Sequence, residues 1–142
     1  MYAVVRIRGS VNIRKELKDT LKMLRLTRVN HCVLVRKDPV VEGMIKKVKD
    51  FVTWGEINDS TLKKLVSERG RLLGDKKPDA TQVKSITEKI KKIKNFKEIP
   101  ELKPVFRMSP PRKGYRHTKI AFPKGDLGYR GEKINELLER MM

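Results

Sequence analysis

Two histidines, one cysteine and thirty-five Lys and Arg residues are the side chains of this 142-residue sequence from which chemistry could be built. Catalysis needs convergent groups with tunable pKa values, and the sequence does not supply them. His31 and His117 are separated by most of the chain and have no acidic or thiol companions. No His/Cys spacing suits zinc, and no phosphate-cradling loop ending in Gly-Lys-Ser or Gly-Lys-Thr is present. The strongest case for an enzyme is Arg6-Ile7-Arg8-Gly9-Ser10-Val11-Asn12, because an acylphosphatase-like site also places Arg and glycine in a strand-to-helix loop to hold a phosphate. The glycine-rich cradle of such sites is missing, so a lone Arg and Gly read as surface and turn residues. The expectation is a protein with no reaction, no metal, no cofactor and no small-molecule substrate.

The cations carry the signal instead. Thirty-five basic residues against 17 acidic ones leave a net charge of +18, which repels itself unless a polyanion supplies counter-charge. The basic residues are spread over several elements: Arg8 at the end of the first strand, Arg25 and Arg28 after the first helix, His31 at the start of a strand, Arg36 and Lys37 after it, and Lys46, Lys47 and Lys49. Any one of them is a solvated surface residue by default, but together they exceed what solubility requires and imply phosphate contacts. A membrane surface would also attract such charge, yet that reading needs bulky apolar insertion residues, and the chain has one Trp and four Phe.

The segment Arg107-Met108-Ser109-Pro110-Pro111-Arg112-Lys113-Gly114-Tyr115-Arg116, followed by His117 and Lys119, is the most informative one. Its prolines keep it extended, Gly114 permits close backbone approach, and Arg and Tyr grip phosphates and stack on unpaired bases. Between Asn95 and Gly131 lie five of the seven prolines, with little apolar periodicity. This stretch reads as an extended basic arm that stays disordered until RNA orders it.

The elements that must position these residues follow from periodicity. Tyr2 to Arg8 alternates as a strand, and Ile13, Leu17, Leu21 and Leu24 recur at helical spacing behind Asn12, a good N-cap. His31 to Arg36 is a second strand, Asp38-Pro39 turns into a helix carrying Val41, Ile45 and Val48 inward, and Phe51 to Trp54 is a third strand ending at Gly55. The order β-α-β-α-β predicts an α+β fold, a sheet with two helices on one face, over residues 1–55. Helices follow over 56–95: Leu62, Leu65 and Val66 form one stripe, with Asp59 or Ser60 as its cap rather than part of a glycosylation sequon. Val83, Ile86, Ile90 and Ile93 form another behind the near capping box Asp79-Ala80-Thr81-Gln82, leaving Lys94 and other lysines outward and the stripe open to a neighbouring protein. The basic arm takes 96–131, and Ile134, Leu137, Leu138 and Met141 line a closing helix over 132–142. Cys32, within an apolar run, is a small core residue rather than a reactive thiol, which fits a reducing, cytosolic setting. No apolar run is long enough to span a bilayer.

Particular residues carry a resemblance: Thr20-Leu21-Lys22-Met23-Leu24-Arg25-Leu26, Asn30-His31, Pro39 to Val48 with Gly43-Met44-Ile45, and Phe51 to Gly55. They resemble the universal large-subunit ribosomal protein family numbered thirty in bacteria and archaea and seven in eukaryotes. The Pro-Pro-Arg-Lys-Gly-Tyr-Arg arm and the ending Leu127-Gly128-Tyr129-Arg130-Gly131-Glu132-Lys133-Ile134-Asn135 extend it over essentially the whole chain. A first strand at Tyr2 leaves no room for the long basic N-terminal extension of eukaryotic members, so the archaeal form is the better match. The resemblance implies a truncated ferredoxin-like core, a place in the cytoplasmic large subunit, contact with large-subunit rRNA, 5S rRNA nearby, and neighbouring ribosomal proteins as partners. Tyr129 and Arg130 join the RNA-contact set on that basis. Gly43, inside a helix, is explained either by close approach of backbone or RNA, or by packing against the sheet. The alternative is a free-standing RNA-binding or regulatory module, for which Tyr2, Phe51 and Trp54 are the only stacking aromatics on the strands.

Overall fold

One short strand organises the chain, whose computed structural model describes residues 1–92 and 102–142. This strand, β1 (Tyr2–Arg6), pairs antiparallel on one side with β2 (His31–Val35) and on the other with β3 (Val52–Glu56), so that Val4 lies between Val33 and Trp54. All five residues of β1 are buried, since a central strand covered on both faces has no solvent side. Two short strands complete the sheet: β4 (Val105–Arg107), antiparallel to β2, and β5 (Gly128–Tyr129), parallel to β3. The order is β4-β2-β1-β3-β5.

The expected β-α-β-α-β core is present, and its helices α1 (Lys15–Met23) and α2 (Pro39–Lys47) cover one face. Leu21, Leu24, Ile45 and Val48 pack there with Val4, Val33 and Trp54. The opposite face is covered too, which the β-α-β-α-β reading did not foresee. Helices α3 (Asp59–Arg69), α4 (Ala80–Lys92) and α5 (Ile134–Met141) bring Leu62, Leu65, Val66, Val83, Ile86, Ile90, Ile134, Leu137, Leu138 and Met141 against Ala3, Val5, Cys32 and Leu34. The result is an α+β fold with a ferredoxin-like core and helices on both faces. The α4 stripe therefore faces the chain's own core and is not open to a neighbour; Ile93 and Lys94 lie outside the described residues.

Local chemistry explains most helix starts. Asp38 accepts a hydrogen bond from the Val40 amide at 3.1 Å with Pro39 opening α2, and Gln82 accepts from the Asp79 amide at 2.9 Å, one half of a capping box. Two expected caps are displaced. Asn58, not Asp59 or Ser60, caps α3 by accepting from the Thr61 amide at 2.8 Å. Asn12 has a left-handed φ of +56°, so it makes a turn, and α1 starts later with Arg14 at its cap.

Two glycines need correction. Gly55 does not end β3; it sits within the strand because the connection into α5 crosses it, and an added Cβ would meet the Gly131 carbonyl oxygen at 2.0 Å and Ile134 Cβ at 2.9 Å. Gly43 packs against nothing: a Cβ there would meet no atom within 4 Å, which removes the sheet-packing explanation. Cys32 is fully buried and burial pushes its thiol pKa up to about 12, consistent with an inert core residue.

Gly55→Ala is expected to destabilise the protein by roughly 1–3 kcal/mol or more, because the obstructing atom is backbone and cannot swing away. The midpoint of urea unfolding measures this.

Candidate nucleic-acid interface

The end of the sheet where β1 and β4 finish and β2 and β3 begin gathers basic residues from distant parts of the chain. His31 and Arg107 are directly opposite each other across β2 and β4. The Asn30 amide donates to the Arg6 carbonyl at 2.8 Å, bringing the Arg28 turn alongside. Arg8 follows β1, stacks its guanidinium 5.3 Å from the Phe51 ring centre and reaches the Asp50 carbonyl, so the C-terminal turn of α2, with Lys46 and Lys47 exposed, flanks the same end. His31 records this environment. Burial, then Arg107, Arg28 and Arg6, lower its pKa, and its buried Nδ1 has no hydrogen-bond partner among the described residues.

One residue absent from the sequence-derived set holds this end together. Arg6 is only 2% exposed and donates to the Leu26 carbonyl at 2.8 Å, the Arg8 carbonyl at 2.9 Å and Ser10 Oγ at 2.6 Å. It ties the loop after β1 to the loop after α1 and positions Arg8 and Arg28 without facing solvent. The signal was in the sequence: a charged residue on the strand face shared with Val4.

Over residues 102–131, the described part of the basic arm, the chain is anchored rather than loose, contrary to the expectation of disorder. Beyond the β4 pairing, Met108 donates to the Asn30 carbonyl at 3.1 Å, Ser109 to the Met141 carbonyl at 3.1 Å and Arg112 to the Arg140 carbonyl at 2.9 Å. From the last of these anchors onward Arg112, Lys113, Gly114, Arg116, His117 and Lys119 are exposed, and Lys113 and Gly114 turn the backbone with left-handed φ values of +67° and +69°. The arm therefore presents cations from a fixed base. Tyr115 does not stack outward as expected. Its hydroxyl donates to Asn30 Oδ1 at 2.8 Å, its ring packs against the core, and burial pushes its pKa up to about 12.

Four other residues lie elsewhere. Arg130 is 8% exposed and is taken up inside the fold, bonding Asp126 through its carboxylate at 3.2 Å and carbonyl at 2.8 Å and Thr53 Oγ1 at 2.9 Å; it clips β5 to β3 and is not a surface contact. Arg36 and Lys37 follow the far end of β2, about 13 Å from His31 at the usual strand rise. Lys37 is ion-paired with Glu56, whose partner lowers its pKa, and Arg36 reaches the Lys91 carbonyl. Tyr129 is half-exposed, packed edge-on to Tyr2 at 6.3 Å and beside Trp54. A groove of about 560 Å³ is lined by Glu56, Glu132, Glu136 and Glu139, three of which are ion-paired, Glu56 with Lys37, Glu136 with Lys133 and Glu139 with Lys64.

No group of three His, Cys, Asp or Glu able to hold a metal occurs among the described residues, and no described helix is long and apolar enough to cross a membrane. Residues 2–52 match the family described as Ribosomal protein L30p/L7e. Proteins named large ribosomal subunit protein uL30 are similar over the full chain: that of Methanosphaera stadtmanae is 47% identical with both chains covered completely. Those of Methanocorpusculum labreanum and Archaeoglobus fulgidus are 49% and 46% identical, each with 99% of both chains covered. The chain belongs to the uL30 family. That membership makes it a ribosomal structural component rather than an enzyme, and gives the archaeal-type resemblance read from the arm and the ending its confirmation. In uL30 terms, residues 2–52 hold β1, β2, α1 and α2 up to the first residue of β3, and the similarity beyond them covers the rest of the sheet, the arm and the second helical layer.

Two outcomes test this geometry. Asp126→Ala leaves Arg130 buried and unpaired and is expected to cost roughly 3–5 kcal/mol in chemical unfolding. His31 binds its proton less readily folded than unfolded, so the stability it contributes is full above its ordinary pKa of 6.5 and declines as the pH falls below it. His31→Gln should flatten the stability profile as the pH falls below about 6.5, measured by denaturant titration at each pH.

Proposed function

We propose that this protein is a structural constituent of the cytoplasmic large ribosomal subunit, binding large-subunit rRNA near the 5S rRNA and supporting subunit assembly. The observation that carries the reading is full-length similarity, at 46–49% identity, to proteins named for the large subunit. The geometry supports it with a sheet end where Arg8, Arg28, His31 and Arg107 meet the lysines of α2 on one flank and the arm's Arg112, Lys113, Gly114, Arg116, His117 and Lys119 on the other. Arg25, exposed and left-handed at φ +63°, extends the same surface beyond α1. These cations neutralise phosphates and release counterions, while the anchored arm fits the shape of an RNA crevice. Neighbouring ribosomal proteins are further partners; no membrane and no small molecule enters this role.

A free-standing RNA-recognition module has nothing in its favour. Such modules stack bases on an open sheet face, whereas here Tyr2 and Trp54 are buried and both faces of the sheet carry helices.

In a cell lysate separated on a sucrose gradient, the chain is expected to migrate with the large subunit and to remain there through a moderate salt wash. Recovery only among free proteins would overturn the proposal. With purified rRNA, Arg112→Ala, Lys113→Ala, Arg116→Ala and Lys119→Ala should each lower the slope of log affinity against log salt by roughly 0.7–0.9 per lost phosphate contact. Lys37→Ala should change it less, since Glu56 already neutralises that lysine.

A further inference from the structure

Gly43 is the fifth of the nine residues of α2, with no left-handed φ, and nothing in the chain approaches the space its side chain would fill. Glycine stays in folds where φ is positive or where another backbone passes close by, and neither condition holds here. Within the free protein it only weakens a helix that alanine would strengthen. The helical face around it is unoccupied: Val40, three residues before, is 70% exposed, and Lys46 and Lys47, three and four residues after, are exposed without a carboxylate partner among the described residues.

We infer that the outer face of α2 is a close-contact surface for the ribose–phosphate backbone of rRNA, with Gly43 left bare so that an RNA strand can reach the helix backbone. Lys46 and Lys47 neutralise the phosphates that flank the contact, and Val40 lies against the sugars. Charge selects RNA over a protein partner, because the face carries two adjacent lysines with no carboxylate partner among the described residues and a single exposed apolar residue, Val40. This inference rests on the rRNA-binding reading above and adds to it a specific, sterically defined point of contact away from the arm.

The test places a wild-type copy and a variant copy, with distinguishable tags, in the same cells. Their ratio is measured by mass spectrometry in large subunits isolated after a moderate salt wash, while each isolated protein is melted separately. Gly43→Ala is expected to raise the melting midpoint by roughly 2–4 °C. It should nevertheless be under-represented in subunits by about three-fold, and Gly43→Leu, also a good helix former, by about ten-fold. Folded variants incorporated at parity with wild type would overturn the close contact while leaving rRNA binding intact. Absence of the wild-type copy from subunits would overturn the rRNA reading itself, and this inference with it.

Discussion

Pairing of β1 on both edges, combined with burial of both its faces, is the constraint on which the rest of the structure depends. A five-residue strand in that position cannot be exposed anywhere, so each neighbouring element is placed by what it must cover. The alternation Ala3 and Val5 against Tyr2 and Val4 divides the chain into two apolar clusters, one closed by α1 and α2 and the other by α3, α4 and α5. The functional end of the molecule is a by-product of this arrangement. Where β1 and β4 end and β2 and β3 begin, the connecting loops have to emerge, and the sequence fills those loops with cations.

The basic residues divide into two populations by their surroundings. Arg6 and Arg130 are buried and fully occupied, Arg6 by two carbonyls and a hydroxyl, Arg130 by a carboxylate, a carbonyl and a hydroxyl. They bind loops and strands together and are held at a cost in desolvation that their partners offset. Arg28, Lys46, Lys47, Lys113, Arg116 and Lys119 are exposed, with no ion pair among the described residues, and supply part of the unbalanced charge. Composition alone does not separate the two groups, since guanidinium is suited both to buried multidentate bonding and to phosphate.

Much of the fold was legible because it rests on local signals. Val-rich alternation marked the strands, the spacing of Leu62, Leu65 and Val66 and of Val83, Ile86 and Ile90 marked helices, and Asp38-Pro39 marked a helix start. What was not legible depends on partners distant in sequence. The α4 stripe read as a surface for another protein because nothing local says that the face of Ala3 and Val5 will receive it. Tyr115 and Arg130 read as RNA contacts because their types suit that role, and only Asn30, Asp126 and Thr53, far away or unremarkable in sequence, take them inward. The reading of Asn12 as a cap failed for a related reason: Asn serves equally well in a left-handed turn.

The covering of β1 has a temporal side. The strand is synthesised some 130 residues before α5, which brings Ile134, Leu137, Leu138 and Met141 to its second face. At ordinary rates of elongation that interval is on the order of ten seconds. During it the β-α-β-α-β portion can close one apolar cluster from contiguous sequence while the other cluster stays incomplete. The nascent chain thus carries a half-covered sheet together with a large positive charge, and its window of exposure to misassembly is fixed by the distance along the chain between a strand and the helix that seals it.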